Sequence, residues 1–121
     1  MRIGELARLV GTSARSLRYY EQQGLLSSVR AENGYRDFDE SAVVRASNIK
    51  HLLDSGLNIE DVGAYAAHGC LDRPLHESPR CAAEGETARR RLAEVDRRIE
   101  QLQEQRTRLA VHHTAITGPP V

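Results

Sequence analysis

At 121 residues the chain has room for one compact domain, or for a smaller domain joined to an extended helix. Trp is absent and Phe38 is the sole phenylalanine, which excludes a large aromatic core. The 17 basic and 17 acidic side chains cancel, so net charge does not announce a nucleic-acid partner, and no apolar run approaches the ~20 residues of a membrane-spanning helix.

Residues 1–50 hold eight basic side chains against six acidic ones, a surplus that matters only if it is clustered. The N-terminus lacks the charged-then-apolar pattern of a signal peptide, so the expected compartment is the cytoplasm, with no membrane partner. In that reducing compartment Cys70 and Cys81 are expected to be thiols, ligands or sensors rather than a permanent disulfide.

In chain order, Ile3, Leu6, Ala7 and Val10 follow the i, i+3, i+4, i+7 spacing of one helix face, and Gly11 ends that helix. Ser13 is placed to cap a second short helix that runs to Gly24 and buries Leu17 and part of Tyr20. The exposed side of that helix carries Arg15, Arg18 and Tyr19, a surface suited to an anion, and the two helices form a helix-turn-helix candidate. Val29-Arg30 and Tyr35 to Phe38 flank Ala31-Glu32-Asn33-Gly34, and the Asn-Gly pair predicts a hairpin closed by a type I′ turn. Its tip is basic and aromatic, and it must lean on the helices because an isolated hairpin is marginal.

Asp39 is the predicted cap of a third helix through Asp54, which has Val43, Ala46, Ile49, Leu52 and Leu53 near its core side and ends at Gly56. Asn58 and Asp61 form a capping box for a fourth, which presents Ile59, Val62 and Tyr65 and ends near Gly69. Gly, Pro and mixed charges from Gly69 onward predict a linker. Ser78 and Pro79 then open a long helix in which Leu92, Val95, Ile99, Leu102, Leu109 and Ile116 recur by threes and fours, interrupted by Arg106 and His113. One narrow apolar stripe cannot be buried by its own helix, so a second copy is the natural partner. Gly118-Pro119-Pro120 ends it.

Taken together, Ile3-Gly4-Glu5-Leu6-Ala7, Leu17-Arg18-Tyr19-Tyr20-Glu21 with Gly24-Leu25-Leu26, Asn33-Gly34-Tyr35-Arg36, the Ile49 to Gly56 helix end and the terminal helix resemble the MerR family of bacterial transcription regulators. The resemblance covers nearly the whole chain to about Leu109. It implies a mainly α fold: a winged helix-turn-helix over residues 1–68 with a small β-hairpin wing, a linker over 69–77, a dimerisation helix over 78–117 that pairs antiparallel as a coiled coil, and a tail over 118–121. It also implies a homodimer on a palindromic operator in double-stranded promoter DNA. Such a dimer bends and untwists the DNA in response to an effector, so that RNA polymerase is affected indirectly.

Carried over by position, Arg18 and Tyr19 would contact phosphates or the groove, Tyr20 would reach the backbone while helping to pack, and Tyr35 and Arg36 would bind phosphates from the wing. Arg15 and Ser16 would touch base edges, and Lys50 would make a backbone contact where Leu53, one turn on, replaces a second basic residue common in relatives. In metal-sensing members a cysteine at the place of Cys81 is a ligand, completed by a cysteine-bearing loop after the dimer helix. This chain has His112, His113 and Gly-Pro-Pro there instead.

The residues leave three readings of Cys70 and Cys81 open: incidental thiols, a redox or electrophile switch, or, with His68 and His76, a site for zinc or another thiophilic metal. No cofactor is required by the sequence, and a large appended drug-binding domain is not expected at this length. A different class of function, a coiled-coil module that recruits another protein without specific DNA binding, shares the terminal helix but does not use Arg15, Arg18 or the wing. An enzyme is not expected, since no nucleophile arrangement or phosphate-cradling loop can be placed.

Overall fold

Gly11, at φ 78°, takes the left-handed conformation that separates α1 (Ile3–Val10) from α2 (Ala14–Gln22), and the amides of Gly11 and Thr12 both donate to the Ala7 carbonyl. In this computed structural model, which describes residues 1–30, 32–75 and 82–118, the next elements are β1 (Val29–Arg30) and β2 (Arg36–Asp37). α3 (Glu40–Asp54), α4 (Ile59–Ala67) and α5 (Ala82–Thr117) follow. α1 packs on α2 and α3, and α3 packs on α4. Leu6, Leu17, Phe38, Ile49, Val62 and Leu71 are the largest fully buried side chains of that core.

The caps fall where local spacing places them. Asp39 accepts the Ala42 amide at 3.2 Å at the start of α3. Asn58 Oδ1 accepts the Asp61 amide at 2.8 Å while Asp61 Oδ2 accepts the Asn58 amide at 3.0 Å, a complete capping box on α4.

The wing is an antiparallel pair in the register Val29 to Asp37 and Arg30 to Arg36. Two features anchor it: Phe38 drops into the core directly after β2, and its amide donates to the Met1 carbonyl at 2.7 Å. Burying that one ring is worth about 2–3 kcal/mol. The turn is not the type I′ that the Asn-Gly pair suggested. Pairing stops at Arg30 and Arg36, and among the described residues only glycines have positive φ. Gly34 takes φ 83°, while Asn33 Oδ1 accepts the Tyr35 amide at 3.2 Å. An Asn side chain that satisfies a local amide replaces the tight two-residue loop.

The segment after α4 also departs from the linker reading. Cys70 and Leu71 are buried, Leu71 fully, and the side-chain amide of Asn48 donates to the Leu71 carbonyl at 2.9 Å and the Arg73 carbonyl at 2.8 Å. Arg45 adds a hydrogen bond to the Leu25 carbonyl and an ion pair with Asp72 at 2.6 Å. Gly and Pro signalled a break in helix, but the apolar residues among them pack on α3. The first compact unit accordingly runs from Met1 to Ala88, with the Tyr65 hydroxyl donating to the Glu84 carbonyl at 3.3 Å. The expected cap at Ser78 and Pro79 lies outside the described residues.

The second unit begins at Arg89. The whole of α5 has 36 residues, about 54 Å of helix. Ion pairs such as Arg91 with Glu94 and Arg108 with Glu104 lie along it, each worth a few tenths of a kcal/mol. Leu92, Val95, Ile99, Leu102 and Leu109 are all exposed in the single chain.

Candidate nucleic-acid interface

Ser13 fixes the start of α2: its Oγ accepts the Ser16 amide at 3.1 Å, and its hydroxyl donates to Ser16 Oγ at the same distance. From that start the helical period turns Leu17 and Tyr20 into the core and Arg15, Arg18, Tyr19 and Gln22 outward. These four line, with Ser16, a shallow cavity of about 510 Å³. Among the described residues neither Arg15 nor Arg18 enters an ion pair, so both guanidinium groups remain available to an anion.

A larger open cavity of about 1040 Å³ lies where α1, α2 and the wing meet. Arg2, Arg8, Arg18, Arg30 and Arg36 line it against only Glu5 and Asp37, and Arg18 belongs to both cavities. The slight basic surplus of the first fifty residues is therefore concentrated on one concave wall. Guanidinium groups in such an array match phosphate oxygens in fork geometry.

The wing side chains are held rather than loose. The Arg2 guanidinium lies 4.1 Å from the centre of the Tyr35 ring. Arg36 is 3.4 Å from Glu21 Oε1 on α2, and Glu21 Oε2 accepts the Ser28 hydroxyl at 2.8 Å. Glu21 Oε1 is buried without a hydrogen bond, so its contact with Arg36 is ionic.

Two of the expected phosphate contacts sit elsewhere in character. Tyr20 is 4 % exposed, and burial raises its hydroxyl above the ordinary tyrosine pKa against the opposing effect of a hydrogen bond with Thr12. Its ring belongs to the core. Lys50 Nζ is already engaged by Asp54 at 2.7 Å, a hydrogen bond that raises its pKa.

Cys70 is buried, its thiol 3.8 Å from the His68 carbonyl. Cys81 and His76 lie outside the described residues. Among the described residues no group of three or more His, Cys, Asp or Glu is placed to hold a metal ion, and no helix is long and apolar enough to cross a membrane.

A family model described as the MerR HTH family regulatory protein matches residues 1–68, more than half of the chain. The chain belongs to the MerR family. A "Probable heavy metal-dependent transcriptional regulator" of Haemophilus influenzae is 31% identical over 121 residues, covering 98% of this chain and 89% of the relative. The transcription regulator PbrR691 of Ralstonia metallidurans CH34, solved in complex with lead(II), shares the fold at a TM-score of 0.75 with 21% identity, over 91% of this chain and 82% of that one. HiNmlR, a family regulator lacking the sensor domain and solved bound to promoter DNA, matches at a TM-score of 0.60 with 21% identity, over 97% and 89% of the two chains. This MerR-family chain is thus a transcription regulator with a helix-turn-helix DNA-binding fold, and its relatives are regulators rather than enzymes.

Residue patterns missed Arg2 and Arg8 as members of the basic wall. Arg8 shares the outer face of α1 with Gly4 and Glu5, one turn earlier, and that periodicity was the available signal. Nothing local marks Arg2, whose place depends on the wing more than thirty residues on.

Proposed function

We propose that two copies of this chain pair through α5 and bind a palindromic promoter operator, with Arg15 and Ser16 toward base edges. In this reading Arg18, Tyr19, Tyr35 and Arg36 lie along the backbone. Tyr20 takes part through its hydroxyl alone, and Lys50 only by exchanging Asp54 for a phosphate. The observation that carries the reading is the position of Arg18 at the junction of two cavities that gather the arginines of α1, α2 and the wing. The exposed stripe of Leu92, Val95, Ile99, Leu102 and Leu109 supports the pairing, since a helix in a protein draws most of its stability from packing its apolar face. Distortion of the DNA, with RNA polymerase responding to its altered shape, suits a reader that offers few base-contacting side chains.

The effector is read as soft-ligand or thiol chemistry at Cys70 and Cys81. Cys70 lies beside the residues that Asn48 and Arg45 hold to α3, so a change at its thiol would be felt by that helix. Fluorescence anisotropy with a duplex from the chain's own promoter region tests the DNA reading. Binding should prefer a palindrome and weaken steeply with salt. A monomeric molar mass together with indifference to DNA would favour the coiled-coil recruitment module instead. Metal content and thiol state, measured alongside DNA binding before and after oxidation, test the effector reading.

A further inference from the structure

The stacking of Arg2 on Tyr35 is unlike the other contacts of the basic wall, because it joins the start of α1 to the hairpin tip. Close by, the Phe38 amide donates to the Met1 carbonyl at 2.7 Å, so chain start and wing base are tied at the backbone and the tip is tied by side chains. The hairpin itself has only two residues per strand, both exposed, which is too little to set its own direction. Arg36 with Glu21 and the Met1 ammonium with Asp37 hold its second strand, and Arg2 on Tyr35 reaches its tip.

We propose that Arg2 positions the tip of the wing: its guanidinium, seated on the Tyr35 ring, holds the hairpin so that Arg30 and Arg36 face the same stretch of DNA backbone as Arg18. The proposal rests on the DNA-binding reading above. It differs from a simple phosphate contact in what it predicts, because a positioning residue takes the wing's contacts with it when removed, whereas a contact residue takes only its own.

The test uses the full chain with Arg2→Ala, Tyr35→Leu and the double variant, titrated into promoter duplex at several salt concentrations. Each single change should weaken binding by about threefold to tenfold, and the double should be no worse than the weaker single. Arg2→Ala should also flatten the salt dependence by more than the ~0.9 that one lost phosphate contact removes. In the free protein, NMR order parameters of the hairpin amides should fall in Arg2→Ala and hold in Tyr35→Phe, which keeps the ring. Additive losses, a salt slope changed by one contact only, or unchanged order parameters would each overturn the proposal. If the unaltered chain does not bind the duplex, the DNA reading fails instead, and the order parameters still decide whether Arg2 aims the wing.

Discussion

Arginine takes two different roles in the first unit. Arg2, Arg8, Arg15, Arg18, Arg30 and Arg36 are exposed along concave surface, whereas Arg45 on α3 is partly buried and committed to the Leu25 carbonyl and Asp72. Beside Arg45, Asn48 is committed in the same way to the carbonyls of Leu71 and Arg73. Residue type therefore does not decide role here. A polar side chain whose donors are consumed by backbone carbonyls fixes the fold, and one whose donors face water is available for a ligand.

Asn48 separates the two roles most clearly. Asn48→Ala removes one buried and one partly buried hydrogen bond and leaves the carbonyls of Leu71 and Arg73 without these donors, which should destabilise the fold by about 2–4 kcal/mol in urea unfolding. DNA affinity of the folded fraction should stay within about twofold. A large loss of affinity without loss of stability would place Asn48 itself in the binding surface. Arg18→Ala should do the reverse. It should weaken binding to every duplex by about tenfold, roughly 1.4 kcal/mol, and lower the salt slope by about 0.9, with stability unchanged to within about 0.5 kcal/mol. Arg45→Ala comes next in size. Its ion pair with an exposed Asp72 is worth little, so about 1 kcal/mol of stability should be lost, chiefly through the bond to Leu25, with binding per folded molecule unaltered.

Sequence spacing made one of these two classes legible and left the other hidden. The Ser13, Asp39 and Asn58–Asp61 caps, the ends of the first four helices and the outward face of α2 all depend on residues within one or two turns of each other. No local spacing marks Asn48, because its partners lie more than twenty residues downstream, beyond α4. For the same reason Gly, Pro and mixed charges from Gly69 onward predict a linker, although Cys70 and Leu71 are buried. The basic wall was half legible: Arg18, Arg30 and Arg36 stand in recognisable local motifs, but the convergence of Arg2 and Arg8 with the wing on one cavity brings together residues far apart in the chain. The turn differs from type I′ because Asn-Gly reports a tendency of two residues, while the loop length is set by where cross-strand pairing stops.

The smallest effect lies at Asp39, where the wing ends and α3 begins, so it touches the helix that carries the committed residues without touching either set. The Ser41 hydroxyl and then the Ala42 amide donate to its carboxylate and hold its pKa below the ordinary aspartate value. A group depressed in the folded state contributes stability above its unfolded pKa and loses it as pH falls through the folded one. Asp39→Asn keeps an acceptor for both donors but does not titrate. The unaltered protein should therefore melt slightly higher than Asp39→Asn near neutral pH. That difference should shrink toward zero as the pH is taken below about 4, a comparison in which the remaining carboxylates cancel. A difference that instead widened on acidification would mean that Ser41 and Ala42 prefer the protonated carboxyl group, and the cap would have to be reassigned.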